Sequence, residues 1–267
     1  MTTIGQSDIA DVKVIYPSLP EQTKIANFLT AVDEKISLLT QKATLLSQYK
    51  KGVMQQIFSQ ELRFKDDDGQ EFPEWEEKTL GEISDVTKLA GYEFTKHIVY
   101  RDTGDIIALR GLNVKENKLD LTSVKYIDES DFSKLSRSKL IINDLLFTYV
   151  GTIGDVALIK ENNKFYLAPN VSRIRVNSNI LMPSFALHYF NNSDFKEKQI
   201  NLYIATSSQP ALSMENIRKF KIELPALKEQ TKIANFLTAI DEKITINQTQ
   251  LNTVKQYKQG LLQQMFV

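Results

Sequence analysis

Apolar positions in two stretches of the chain fall three and four residues apart. In the first they are Ile25, Leu29, Val32, Ile36, Leu39, Ala43, Leu46, Val53 and Ile57, with Lys50 in the one vacant slot. In the second they are Ile233, Leu237, Ile240, Ile244, Leu251, Val254, Leu261 and Met265, with Asn247 and Lys258 in polar slots. Such alternation has a period of about 3.5 residues, which predicts a coiled-coil seam on each of two long helices. A helix from Glu21 to Phe58 spans roughly 57 Å at about 1.5 Å per residue. Alone it exposes a wet apolar stripe and needs a partner.

The two stretches are copies. Glu21-Gln-Thr-Lys-Ile-Ala-Asn-Phe-Leu-Thr-Ala-Val-Asp-Glu-Lys-Ile36 returns 208 residues later as Glu229 to Ile244, with only Val32 replaced, by Ile240. The likeness continues from Gln48-Tyr-Lys to Gln256-Tyr-Lys and from Gln55-Gln-Ile-Phe58 to Gln263-Gln-Met-Phe266. Two short copies around one long unlike insert do not make a solenoid. The first helix leads into the insert and the second leaves it, so pairing within the chain is antiparallel. Asn247, Lys50 and Lys258 are then expected to set register rather than add stability. The plainer alternative is a helical hairpin that only closes a domain.

Inside the insert the pattern changes. Lys65 to Glu77 is acidic, is broken by Gly69 and Pro73, and reads as a connecting turn. Strands are expected at Ile83–Leu89, Asp105–Arg110, Ser123–Ile127, Lys164–Leu167 and Val171–Val176, and as a hairpin over Leu145–Ile159 around Gly151 and Gly154. A helix is expected over Pro183–Leu202, a short helix capped by Ser213, and a strand at Lys221–Leu224. The fold class is α+β: one mixed domain at the end of a long antiparallel two-helix coiled coil. The expected divisions are 1–18, a tail resembling the close of the insert; 19–60, the first helix; 61–224, the domain; and 225–267, the second helix. The tail reading rests on Ser7–Val14 aligning with Glu215–Ile222 at the repeat's offset; a short N-terminal strand is the alternative.

Composition narrows the function. The 267 residues carry 33 Lys plus Arg against 33 Asp plus Glu, so no global field steers the chain to nucleic acid. Cysteine is absent, which excludes a disulfide framework and thiolate metal sites. No stretch approaches membrane-spanning length, and a cytoplasmic location without membrane association is expected. Neither a G-x-x-x-x-G-K-[ST] loop, nor G-x-G-x-x-G, nor an Asn/Asp-Pro-Pro-aromatic run occurs. His97 and His188 have no HExxH context. One enzymatic alternative remains, a metal-dependent nuclease using Asp67 with Glu76-Glu77-Lys78.

Base reading needs Arg, Lys, Asn and Gln aimed into a groove while other contacts fix the register. Lys88, Tyr92 and Lys96 form one set of candidates and Arg110, Asn113 and Lys115 a second. Tyr149 and Thr152, with Thr148, flank the hairpin tip; Asn170, Arg173 and Arg175 follow; Ser207, Ser208 and Gln209 sit on a loop. Arg173 and Arg175, two apart on a strand, share a face, and the alternative for them is the solvated face of an edge strand. Between Lys134 and Arg175 there are seven basic and three acidic residues, a mild local excess.

Several stretches resemble the specificity subunit of Type I restriction-modification systems. They are Leu224-Pro-Ala-Leu-Lys-Glu-Gln-Thr-Lys-Ile-Ala-Asn-Phe-Leu237, Gln263–Phe266, Pro73-Glu-Trp-Glu-Glu-Lys-Thr-Leu-Gly81, Asn143–Gly154 and Ser207–Pro210. The resemblance implies a DNA-recognition subunit without catalysis of its own. Its recognition domain would read half of a split double-stranded DNA target, and its helices would dock methyltransferase subunits and, through them, a restriction-translocase subunit. S-adenosylmethionine, ATP and Mg would belong to those partners and no cofactor to this chain. The family's plan is domain, helix, domain, helix. This chain has one full domain, so a homodimer or a second half-subunit would supply the other half-site. A coiled-coil scaffold that does not bind DNA is the remaining alternative.

Overall fold

Helix α1 runs over Leu19–Phe58 and helix α7 over Leu227–Met265, both carrying the repeated sequence. The structure is a computed structural model that describes residues 5, 16–115, 117–204 and 210–265. Residues 6–15 and 207–209, on which the tail reading and the Ser207, Ser208 and Gln209 candidates fall, lie outside the described residues. Pro20 stands in the first turn of α1, where a missing N–H leaves no helical bond unmade. The chain divides into two compact units, one of residues 1–48 with 241–267 and one of residues 49–240.

In the first unit the two helices run in opposite directions. Asn247 donates from Nδ2 to the Leu39 carbonyl at 2.9 Å, and Lys258 pairs with Asp33 at 2.5 Å. Advancing along α7 therefore means going back along α1. Leu39, Asn247 and Leu251 are buried, while Ile25, Leu29, Val32, Ile36, Leu46, Ile244, Val254 and Leu261 are half-buried. A helix covered on one side by one partner leaves most seam positions in that intermediate state.

The second unit holds the mixed domain and the adjoining helix turns. Its elements are β1 (Glu76–Thr79), α2 (Leu80–Ile83), β2 (Ser84–Lys88), α3 (Gly91–Lys96), β3 (Ile107–Leu109), β4 (Val114–Lys115), β5 (Lys118–Leu119) and β6 (Lys125–Tyr126). Then come β7 (Leu145–Thr148), β8 (Val156–Leu158), β9 (Phe165–Leu167), β10 (Val171–Val176), α4 (Pro183–Phe190), α5 (Ser193–Phe195), α6 (Met214–Arg218) and β11 (Lys221–Leu224). The main sheet is antiparallel in the order β2-β10-β7-β8. A second sheet, β6-β3-β9, includes the parallel pair β3 and β9. Strand alternation divides its side chains between two clusters. Ile107, Leu109, Phe165 and Leu167 pack with Leu146, Ala157 and Val171; Ala108 and Tyr166 pack with Ile127 and Leu135.

Three expectations need correction. The acidic connector contains a strand: β1 pairs antiparallel with β11, from Glu76 opposite Leu224 to Thr79 opposite Lys221. Its polar sequence hid it: Glu76 and Glu77 are exposed and Lys78 and Thr79 half-buried, so the strand shows no apolar alternation. The helix expected over 183–202 breaks after Phe190, where the Asn192 side chain caps a new turn by accepting from the Asp194 N–H at 3.3 Å, and a π-helical turn follows at Lys196–Ile200. The edge-strand alternative for Arg173 and Arg175 also fails, since β10 is flanked by β2 and β7.

The second helix copy is anchored to the domain through its Glu-Gln pair. Glu229, fully buried, accepts from Arg63 Nε at 3.3 Å and Nη2 at 3.0 Å, and from Trp75 Nε1 at 3.3 Å. Gln230 accepts from the Met182 N–H at 2.8 Å and donates to the Ile180 carbonyl at 2.9 Å. Val53, Ile57, Ile233, Leu237 and Ile240 are buried around this anchor, and Phe58 meets Phe185 and Tyr189 edge-on at 5.9 and 5.2 Å.

Candidate nucleic-acid interface

The β7–β8 hairpin turns through Gly151 and Gly154, both at positive φ (80° and 90°), where a side chain is strained. Thr148, buried at the end of β7, ties the turn together. Its hydroxyl donates to the Thr152 carbonyl at 2.5 Å and accepts from the Asp155 N–H at 2.9 Å. Opposite the hairpin, the chain leaves β3 into a single 3-10 turn at Gly111–Asn113 and then the β4–β5 ladder. The two loops border an open cleft of about 650 Å³.

Five candidates line the cleft: Arg110, Lys115, Thr148, Thr152 and Asn170. Tyr149 lies next to it in sequence, with its N–H donating to the Asn170 carbonyl at 3.2 Å and the Lys88 ammonium 5.2 Å from its ring centroid. Burial pushes the Tyr149 hydroxyl pKa up. Tyr92 and Lys96 are exposed on α3, whose Phe94 also lines the cleft. Phe94, Tyr100, Leu112, Val150 and Lys125 are lining residues that pattern reasoning missed. Alternation marks apolar faces but cannot say that an exposed Leu112 and a Phe94 eighteen residues earlier meet at one mouth.

Charge in the cleft is mostly compensated. Lys115 pairs with Asp120 at 2.5 Å, and Lys125 pairs with Asp102. Lys115, then the Thr122 hydroxyl and N–H, hold the Asp120 carboxyl well below the usual carboxylate range. Asp155 is matched by Lys196 at 3.3 Å. Among the described residues no carboxylate pairs with Arg110, whose Nη2 donates to the Ser123 carbonyl at 3.0 Å.

Three candidates turn out to serve the fold. Asn113 is fully buried; its Nδ2 donates to the Asp120 and Ser123 carbonyls at 2.9 Å each, and its Oδ1 accepts from the Arg110 N–H at 3.1 Å. It clips the loop that carries Arg110 and has no group left for a base. Arg173 is buried against Asp85 and the Arg137 carbonyl. Arg175 makes a two-pronged contact to the fully buried Asp144 at 2.6 and 2.7 Å. Two cations on one strand face here neutralise carboxylates of neighbouring segments.

The nuclease alternative meets a similar arrangement. Asp67 pairs with Lys232 at 2.7 Å, Glu76 with Lys78 at 3.1 Å and Glu77 with Lys221 at 2.8 Å. No group of three or more metal-ligating side chains converges among the described residues. No helix among the described residues is long and apolar enough to cross a membrane.

Comparison with known proteins agrees with this architecture. The Type I restriction-modification S subunit from M. genitalium superposes with a TM-score of 0.60 at 16% identity, over 94% of this chain and 62% of that one. The HsdS subunit from Thermoanaerobacter tengcongensis superposes with a TM-score of 0.53, again at 16% identity, over 99% and 63%. These likenesses establish the fold. In sequence, the Type I restriction enzyme MjaVIII specificity subunit of Methanocaldococcus jannaschii is 24% identical over 94% of this chain and 60% of its own length. The EcoBI specificity subunit of Escherichia coli is 24% identical over 86% and 52%. The chain thus spans about half to three fifths of the length of these relatives. The profile of the Type I restriction modification DNA specificity domain matches residues 1–48 and 73–256, and the chain belongs to that family.

Proposed function

We propose that this chain is the sequence-reading subunit of a Type I restriction-modification complex. Its mixed domain recognises one half-site of double-stranded DNA through the cleft, and its paired helices dock methyltransferase subunits and, through them, a restriction-translocase subunit. The chain itself is not catalytic; S-adenosylmethionine, ATP and Mg act on the partners, and the complex works in the cytoplasm. The carrying observation is the cleft, which gathers Arg110, Lys115, Thr152 and Asn170 between two loops with Lys88 and Tyr149 beside it. Loops mounted on a fixed sheet suit recognition, because their side chains vary without cost to the scaffold. The net charge of zero fits a reader that leaves much of the phosphate contact to its partners.

The test exchanges residues 80–215 for those of a relative and maps methylated sites made by the assembled complex. The methylated half-site should change to that of the donor. An unchanged target would refute the proposal. With one domain per chain, a second copy or a separate half-subunit completes a two-part target, and the mass of the complex counts the domains. A chain that cleaves DNA alone with Mg, and stops on Glu77→Ala, would establish the nuclease instead.

A further inference from the structure

We infer that Arg110 sets one base of the target by swinging into the cleft and taking a guanine edge. The inference rests on the recognition reading and adds to it the residue and the base. Three observations converge on this side chain. First, it is the cleft's unmatched cation: Lys115 and Lys125 are held by Asp120 and Asp102, and no described carboxylate holds Arg110. Second, its resting pose is poorly satisfied. Among the described residues only Nη2 has an acceptor, the Ser123 carbonyl, while Nε is buried without one. Third, the Tyr100 hydroxyl, on the same cleft, is likewise buried without a partner among the described residues.

Buried donors without acceptors are costly, so a pose that strands Nε is easily given up for one that does not. By contrast the backbone beneath the side chain is fixed: Asn113 Oδ1 accepts from the Arg110 N–H, and Asn113 Nδ2 also reaches the Ser123 carbonyl. The root is rigid and the tip is not. A guanidinium offers only donors in a planar fork, and its match must present two adjacent acceptors. In the major groove guanine does so with O6 and N7; adenine presents one acceptor beside a donor, and thymine one acceptor beside a methyl group. A phosphate also offers paired acceptors. However, Phe94, Leu112, Val114 and Val150 line this cleft, and an anion would be stripped of water against them with a single unmatched cation to compensate. A neutral base edge does not carry that cost.

The experiment uses the complex with its methyltransferase subunits. Once the methylated target is mapped, each guanine of this chain's half-site is replaced in turn by 7-deazaguanine, which lacks the N7 acceptor, and binding is measured by fluorescence anisotropy. One replacement should weaken wild-type binding about tenfold or more. The complex with Arg110→Ala should not distinguish that duplex from the unmodified one. The inference is overturned if no guanine responds, if Arg110→Ala keeps the full response, or if Arg110→Ala lowers affinity equally on every duplex, which marks a phosphate contact. Should Arg110→Ala not assemble, Arg110→Met, which keeps the length of the side chain but has no donor for N7 or O6, takes its place under the same criteria. A wild-type complex with no sequence preference would overturn the recognition reading as well, and would show this before any variant is made.

Discussion

At the scale of single residues, one dipeptide in two places separates what a sequence says from what an environment does. Glu21-Gln22 and Glu229-Gln230 are identical, yet Glu21 is exposed while Glu229 is fully buried under Arg63 and Trp75. Breaking a buried pair strands the remaining charge. Glu229→Ala should therefore cost about 3 kcal/mol in urea unfolding, while Glu21→Ala should stay within about 0.5 kcal/mol. Asn113→Ala should cost about 2 kcal/mol, because the Asp120 carbonyl and the Arg110 N–H lose this partner at once and the Ser123 carbonyl keeps only the Arg110 guanidinium. Tyr189 gives a pH signature. Burial raises its hydroxyl pKa from 10.0 to about 12. The unfolded chain then ionises first, so this stabilisation is complete below pH 10 and fades as the pH climbs through about 12. Alkaline unfolding followed by circular dichroism should flatten over that window in Tyr189→Phe, by on the order of 2 kcal/mol. Residue roles were the least legible part of the sequence. Arg173 and Arg175 look alike in any strand pattern, and their carboxylates lie 88 and 31 positions away. Long-range pairing of that kind leaves no local trace.

At the scale of elements, the helices were readable because a period of about 3.5 residues survives many turns. The β7–β8 hairpin was readable because Gly151 and Gly154 punctuate it, and the Ser213 cap because its hydroxyl accepts from the Asn216 N–H at 3.0 Å. Strand β1 and the break after Phe190 were not. A charged edge ladder has no apolar rhythm, and an Asn-Asn pair interrupts a helix without Gly or Pro. Asn247 tests the idea that a polar seam position sets register. It is buried, donates to the Leu39 carbonyl and leaves its own Oδ1 without a donor among the described residues. Asn247→Leu should raise thermal stability by about 1 kcal/mol while loosening alignment. Analytical ultracentrifugation should then find more than one species. A single species with unchanged stability would mean that the packed seam alone fixes register.

At the scale of the whole molecule, the architecture is two long helices from one repeated sequence and a mixed domain between them in the chain. That much follows from the repeat and from the change of pattern between its copies. The position of the cleft does not, since it depends on loops brought together by the β3–β9 and β7–β10 pairings. One feature of the second unit has a broader effect. Strands β1 and β11 form a short stem in which Glu76 faces Leu224, so the backbone enters and departs the domain through adjacent rungs of a single ladder. The spacing of the two stem strands, about 4.8 Å, does not depend on the length of the segment they enclose. Lodging a small folded reporter between the exposed Asn162 and Asn163 should therefore leave assembly with the methyltransferase subunits proposed as partners intact, as judged by co-purification. Interchangeable cargo on an unchanging handle is the practical meaning of those four rungs.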